Sequence, residues 1–130
     1  MPVFHRLVPK ATPIRWLDTP EPQDYPAAQS YLELIFEAAV AAKRVKALEA
    51  AAMTSFKAKD IFRVSGLSLL GVSNSHVDRD RAKIAAGTAL SPLLLVRDTQ
   101  NARVIVADGY HRLCAVYAYD EDALIPCKIV

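Results

Sequence analysis

The chain has 130 residues, 52% hydrophobic and 23% charged, enough apolar sequence to bury one core and too much for a disordered segment. Lys+Arg total 16 against Asp+Glu 14, a formal net charge of +2, so composition offers no basic footprint for nucleic acid. DNA as a partner is therefore unsupported by net charge, and only a local patch stays open.

The first residues, Met1-Pro2-Val3-Phe4-His5-Arg6, lack the apolar stretch of a secretory signal, and no apolar run reaches the length of a membrane span. Cys114 and Cys127 make no Cys-x-x-Cys pair and sit among apolar neighbours, so they read as two reduced core thiols. These features predict a cytoplasmic protein with no membrane partner.

In chain order, residues 1–23 are punctuated by Pro2, Pro9, Pro13, Pro20 and Pro22, which predicts an extended segment. A short strand around Ile14-Arg15-Trp16-Leu17 is expected within it, with Trp16 as an anchor on the core. Residues 24–87 read as mainly helical. Asp24 is the expected N-cap, and Tyr31, Leu32, Ile35, Phe36, Ala39 and Val40 recur at helical spacing. Val45, Leu48 and Ala52 continue the pattern. With no Gly or Pro to mark a break, one long helix and two short ones stay equally open.

Phe56 to Ile61 reads as a strand or as the start of a helix, and Gly66 as a helix end. Asn74 or Ser75 is expected to cap a helix from His76 to Ala86, closed by Gly87. Residues 88–130 carry the clearest pattern. Pro92–Val96 and Arg103–Ala107 are short apolar runs separated by the polar turn Asp98-Thr99-Gln100-Asn101, so a hairpin of buried strands is predicted. A helix through Leu113, Val116 and Tyr117 and a last strand from Ile125 to Val130 complete the chain.

The chemistry concentrates where the second of those strands runs into Asp108-Gly109-Tyr110-His111-Arg112. The first N–H groups of a helix lack partners inside it, and the helix dipole adds partial positive charge there. Gly109 can take a positive φ and let a phosphate approach the backbone. Arg112 can grip phosphate oxygens with its planar fork, and His111 can donate a hydrogen bond or move a proton. Two cationic side chains at the positive end of a helix oppose its dipole, an arrangement that makes sense when an anion sits between them. In the alternative, Asp108 caps the helix and pairs with Arg112, leaving nothing to bind.

The stretch Val104 to Tyr117, with Leu90–Val96 before it and Ile125–Val130 after it, resembles the core of the ParB/sulfiredoxin superfamily. The resemblance covers about the last forty residues. It implies an α+β fold, a small mixed sheet with packed helices and an N-terminal helical extension, all in one domain spanning 1–130. It also implies a nucleoside phosphate as ligand, ATP, ADP or CTP, with Mg²⁺ and a homodimer left open.

Sulfiredoxins carry Gly-Gly-Cys-His-Arg; Tyr110 stands here in place of that cysteine, and Cys114 is one turn too late, so sulfinic acid reduction is not expected. Partitioning ParB proteins carry Gly-Glu-Arg-Arg followed by a helix-turn-helix domain; only the Gly and the last Arg match, and Val130 ends the sequence. The nuclease label common in this superfamily finds no acidic metal cluster here. The free-serine kinases carry Asp-Gly-His-His-Arg, with Asp108, Gly109, His111 and Arg112 matching. That likeness implies Asp108 and His111 as catalytic residues, Asp108 positioning Mg²⁺ or a hydroxyl, and Gly109, Tyr110, His111 and Arg112 around the phosphate. A glutamate base would come from Glu33, Glu37 or Glu49.

Lys57 and Lys59 are candidates for a second wall of the phosphate site. His76 and Asp80, at i and i+4, could grip a metal from one helix face, but a solvated face shared with Asp78, Arg79, Arg81 and Lys83 accounts for them better, and no metal ligand is assigned. The expected function is nucleotide binding, extending to phosphoryl transfer or nucleotide hydrolysis if the chain is an enzyme. The alternative is a non-catalytic module whose ligand switches binding to DNA or protein.

Overall fold

The computed structural model describes residues 13–71 and 73–130. The expectations for Pro2 and Pro9 fall outside the described residues. Among those described, the order is α1 (Asp24–Leu32), α2 (Ala38–Ala50), β1 (Thr54–Lys57), α3 (Ala58–Ser65) and α4 (Ser75–Ala86), then β2 (Leu93–Asp98), β3 (Arg103–Asp108), α5 (Tyr110–Tyr119) and β4 (Leu124–Ile129). The fold is α+β, as expected, with a four-stranded mixed sheet in the order β1-β4-β2-β3. β2 and β4 run parallel, and the other two pairings are antiparallel. Among the described residues, no helix is long and apolar enough to cross a membrane.

Helices cover both faces of the sheet. Leu93, Leu95, Val106, Ile125 and Cys127 pack with Ile61 of α3, Val77 and Ile84 of α4, and Leu113 and Val116 of α5. Leu94, Val96, Ile105 and Ala107 pack with Ala28, Leu32, Ala41, Val45 and Leu48 of α1 and α2. Successive strand residues point to opposite faces, so a strand covered on both sides must be apolar throughout. That is why Leu93-Leu94-Leu95-Val96 contains no polar position and why all four are buried.

The open question of one helix or two resolves to two. α1 ends at Leu32, and the turn from Glu33 to Glu37 breaks the helix without Gly or Pro. Packing imposes the break: Leu32 is fully buried and Phe36 packs on the same cluster, so the chain must fold back there, leaving Leu34 83% exposed.

Asp24 does not cap α1. Gln23 holds the N-cap position without a side-chain bond, and the buried Asp24 carboxylate instead accepts from Glu21 N at 2.9 Å and from Ser91 Oγ. The strand expected at 14–17 reduces to one parallel bridge, Trp16 with Leu90, with Trp16 partly buried against the core. Phe56–Ile61 proves to be both alternatives in turn, a strand end followed by a helix start.

Asn74 caps α4 as expected, its Oδ1 accepting from His76 N at 3.0 Å and Val77 N at 3.3 Å. Gly66 and Gly87 end α3 and α4 in the left-handed conformation. On β4, Lys128 is buried on the α1–α2 side; its Nζ donates to Glu49 O at 2.9 Å, at the negative end of α2, and lies 5.6 Å from the Tyr25 ring centre.

Candidate functional site

β3 ends at Asp108, and Gly109 turns the chain into α5 with φ +105°. No side chain caps α5, and the first bond inside the helix runs from Leu113 N to Gly109 O. The N–H groups of Tyr110, His111 and Arg112 therefore precede the first helical bond and mark the positive end of the helix.

This end faces a small polar cavity of about 210 Å³. From α4, His76, Arg79, Asp80 and Lys83 line it; from the β3–α5 junction, Asp108, Gly109, Tyr110, His111 and Arg112 do. The spacing i, i+3, i+4, i+7 on α4 is one helix face. The solvated face expected of α4 holds for His76, Asp78, Arg79, Arg81 and Lys83, all exposed, but Asp80 is buried, and His76, Arg79 and Lys83 also border the cavity beside α5. Sequence reasoning missed Arg79 and Lys83 as site residues. Their spacing from His76 was the available signal, and it lacked a partner until α5 was seen beside α4.

Two expectations about the motif change in their physical reason. As the alternative reading expected, Asp108 pairs with Arg112, Oδ2 to Nη2 at 2.8 Å, but it does not cap α5. Arg112 Nη2 also donates to Pro92 O at 3.3 Å, so that nitrogen is held by the protein, whereas Arg112 Nε is buried without a hydrogen-bond partner. Gly109 does take a positive φ. However, a Cβ there would meet Leu93 Cγ at 2.8 Å and Arg112 Nη2 at 2.9 Å, so the space its missing side chain leaves is filled by Leu93 and Arg112, not opened for a phosphate.

Burial raises the Asp108 carboxyl above the ordinary carboxylate value; Arg112 opposes this, and the neighbouring Asp24 carboxyl adds to it. His111 packs its ring on His76, with ring centres 4.8 Å apart. Burial lowers the His111 imidazole, His76 and Arg112 push the same way, and Asp80 pushes back. Tyr110 stacks on His111 at 5.5 Å, and its hydroxyl donates to Ser68 O. The Tyr110 phenol is raised, chiefly by burial. Cys114 and Cys127 are free and buried, as expected; burial raises both thiols, Cys127 to about 11.

Other predicted residues are not brought here. Lys57 pairs with Leu124, and Lys59 bridges Asp122 at 2.7 Å, past the far end of α5. A ten-residue helix of about 15 Å separates that end from the cavity. Glu33 and Glu49 line a different groove, against α1 and α2 on the other side of the sheet, and Glu37 sits at the start of α2. None of the three lines the α4–α5 cavity.

Among the described residues, no group of three or more His, Cys, Asp or Glu side chains is arranged to hold a metal ion. Asp108 is engaged by Arg112 beside Arg79 and Lys83, a donor set that suits an anion better than Mg²⁺. Compared with protein-family models, curated proteins and solved structures, the chain matches none.

Proposed function

We propose that the α4–α5 cavity binds the phosphate end of a nucleotide, a nucleoside phosphate such as ATP, ADP or CTP. One observation carries this reading: the cations Arg79, Lys83 and Arg112, with the imidazoles of His76 and His111, converge from two helices on a cavity at the uncapped start of α5 and outnumber its carboxylates, Asp80 and Asp108. Cations that would repel one another and oppose a helix dipole are stabilised together when an anion sits among them. The resemblance of residues 90–130 to the ParB/sulfiredoxin superfamily supports the same ligand class.

A volume of about 210 Å³ is below the roughly 300–1,000 Å³ of sites that enclose a drug-sized ligand. Phosphate groups fit inside, and the nucleoside lies at the mouth. The engagement of Asp108 by Arg112, and a cavity lining that includes none of Glu33, Glu37 and Glu49 as base, favour the non-catalytic form of this reading. His111 remains the group able to move a proton if transfer occurs.

Thermal shift and calorimetry with ATP, ADP, CTP and inorganic phosphate test the reading. A ligand at a hundred times its dissociation constant stabilises the fold by about 2.7 kcal/mol. The double variant Arg79→Ala/Lys83→Ala removes two exposed side chains and leaves the core intact; it is expected to weaken binding at least tenfold. Lys59→Ala, past the far end of α5, is expected to leave it unchanged. No stabilisation by any of the four ligands, or equal binding by the double variant, refutes the proposal.

A further inference from the structure

The two imidazoles in the cavity are packed against each other at the starts of two helices. His76 lies in the first turn of α4 and His111 in the first turn of α5, and their rings meet at 4.8 Å across the gap between the helices. Around them stand Arg79 and Lys83 from α4 and Arg112 from α5, with Asp80 on α4 and Asp108 at the end of β3 as the carboxylates, and Tyr110 beside His111. Three permanent cations thus face two carboxylates, one of which is paired with Arg112. A proton added to His111 meets like charge and the positive end of α5, opposed by Asp80.

A dianion in the cavity reverses that balance. A protonated His111 then gains an opposite charge within hydrogen-bond reach, with the guest seated beside the paired rings. We propose that anion binding here is proton-linked: His76 and His111 form a paired-imidazole clamp in which His111 takes up a proton as a dianion enters. This rests on the phosphate reading above and adds its regulation, an affinity that rises as the pH falls through the histidine range.

The direction of the His111 titration agrees with this picture. Burial, His76 and Arg112 keep its imidazole neutral in the empty cavity to lower pH than a free histidine. By reciprocity, a ligand that binds the protonated clamp better must also make the clamp easier to protonate. Each proton taken up changes the dissociation constant by up to about tenfold per pH unit over the linked range.

Sulfate is the probe, because it stays a dianion at both working values and its own titration cannot imitate the effect. Calorimetric titration of the full chain with sodium sulfate, at constant ionic strength, is made at about pH 6 and about pH 8, either side of the ordinary histidine value. Binding is expected to be at least tenfold tighter at the lower pH. The heat should depend on the ionisation enthalpy of the buffer, reporting proton uptake. In ¹⁵N spectra of the imidazoles, His111 should titrate at higher pH with sulfate than without. The variant His111→Gln, at a half-buried position, should flatten the pH dependence while keeping some sulfate affinity.

Equal affinity at the two pH values, with heats independent of buffer, overturns the proton linkage and leaves the anion site standing. No binding at either value overturns both. Because the spectra are recorded on the unaltered protein, the result does not depend on how any variant folds.

Discussion

Gly109→Ala tests the packing on which the candidate site depends. The φ of +105° is strained for any L side chain, costing about 1–2 kcal/mol on the scale of left-handed residues. The added methyl would also lie 2.8 Å from Leu93 Cγ and 2.9 Å from Arg112 Nη2. Arg112 can swing aside by breaking its bond to Asp108, but Leu93 is fully buried in the sheet and has nowhere to go. Overpacking of that kind costs about 1–3 kcal/mol more. The sum, about 2–5 kcal/mol, is a large part of the roughly 5–15 kcal/mol that holds a domain together. At about 4 °C per kcal/mol, Tm should fall by roughly 8–20 °C.

Gly66→Ala is the control. Its φ of +68° is also left-handed, but nothing lies within 4 Å of the added carbon. It should cost only the backbone part, about 1 kcal/mol, offset in some measure by the reduced freedom of the unfolded chain. Thermal and urea unfolding followed by circular dichroism measure both. If Gly109→Ala loses no more stability than Gly66→Ala, Leu93 and Arg112 do not close over Gly109.

Arg112→Met should destabilise in a pH-dependent way. Asp108 already titrates above the ordinary carboxylate value, and loss of the guanidinium raises it further. In acid, where the carboxyl is protonated folded and unfolded alike, the variant loses least; as pH rises through the folded value of Asp108, the loss should grow to about 1–3 kcal/mol, read from urea midpoints across the pH range. Lys128→Met removes the donor to Glu49 O at the end of α2 and leaves a carbonyl in a buried region, so a loss of about 1–3 kcal/mol in urea unfolding is expected, with no change in sulfate affinity.

Local punctuation was legible. Asn74 before a polar helical run, Gly66 and Gly87 after one, and Asp108-Gly109 after an apolar run each act on their own backbone neighbours, so the residue type is enough to place the end. The turn after Leu32 was not legible, because no residue in it demands a turn; the burial of Leu32 and Phe36 against β2 and β3 imposes it. Asp24 misled for a related reason: a residue type favoured at caps was used to bind Glu21 N and Ser91 Oγ. Lys57 and Lys59 were grouped with the phosphate motif by charge, but the pairing of β1 with β4 carries them past the far end of α5.

By itself the amino-acid order determined the last three strands, α4, and which short motif opens α5, since periodicity and capping depend on near neighbours along the chain. Which side chains meet was decided only in three dimensions. The sheet order and the packing of α4 on α5 set His76 against His111 and turned Arg79 and Lys83 toward the same cavity, while Arg112 closed on Asp108. Electrostatic and steric forces act through space, and distance along the chain says little about which groups will feel them.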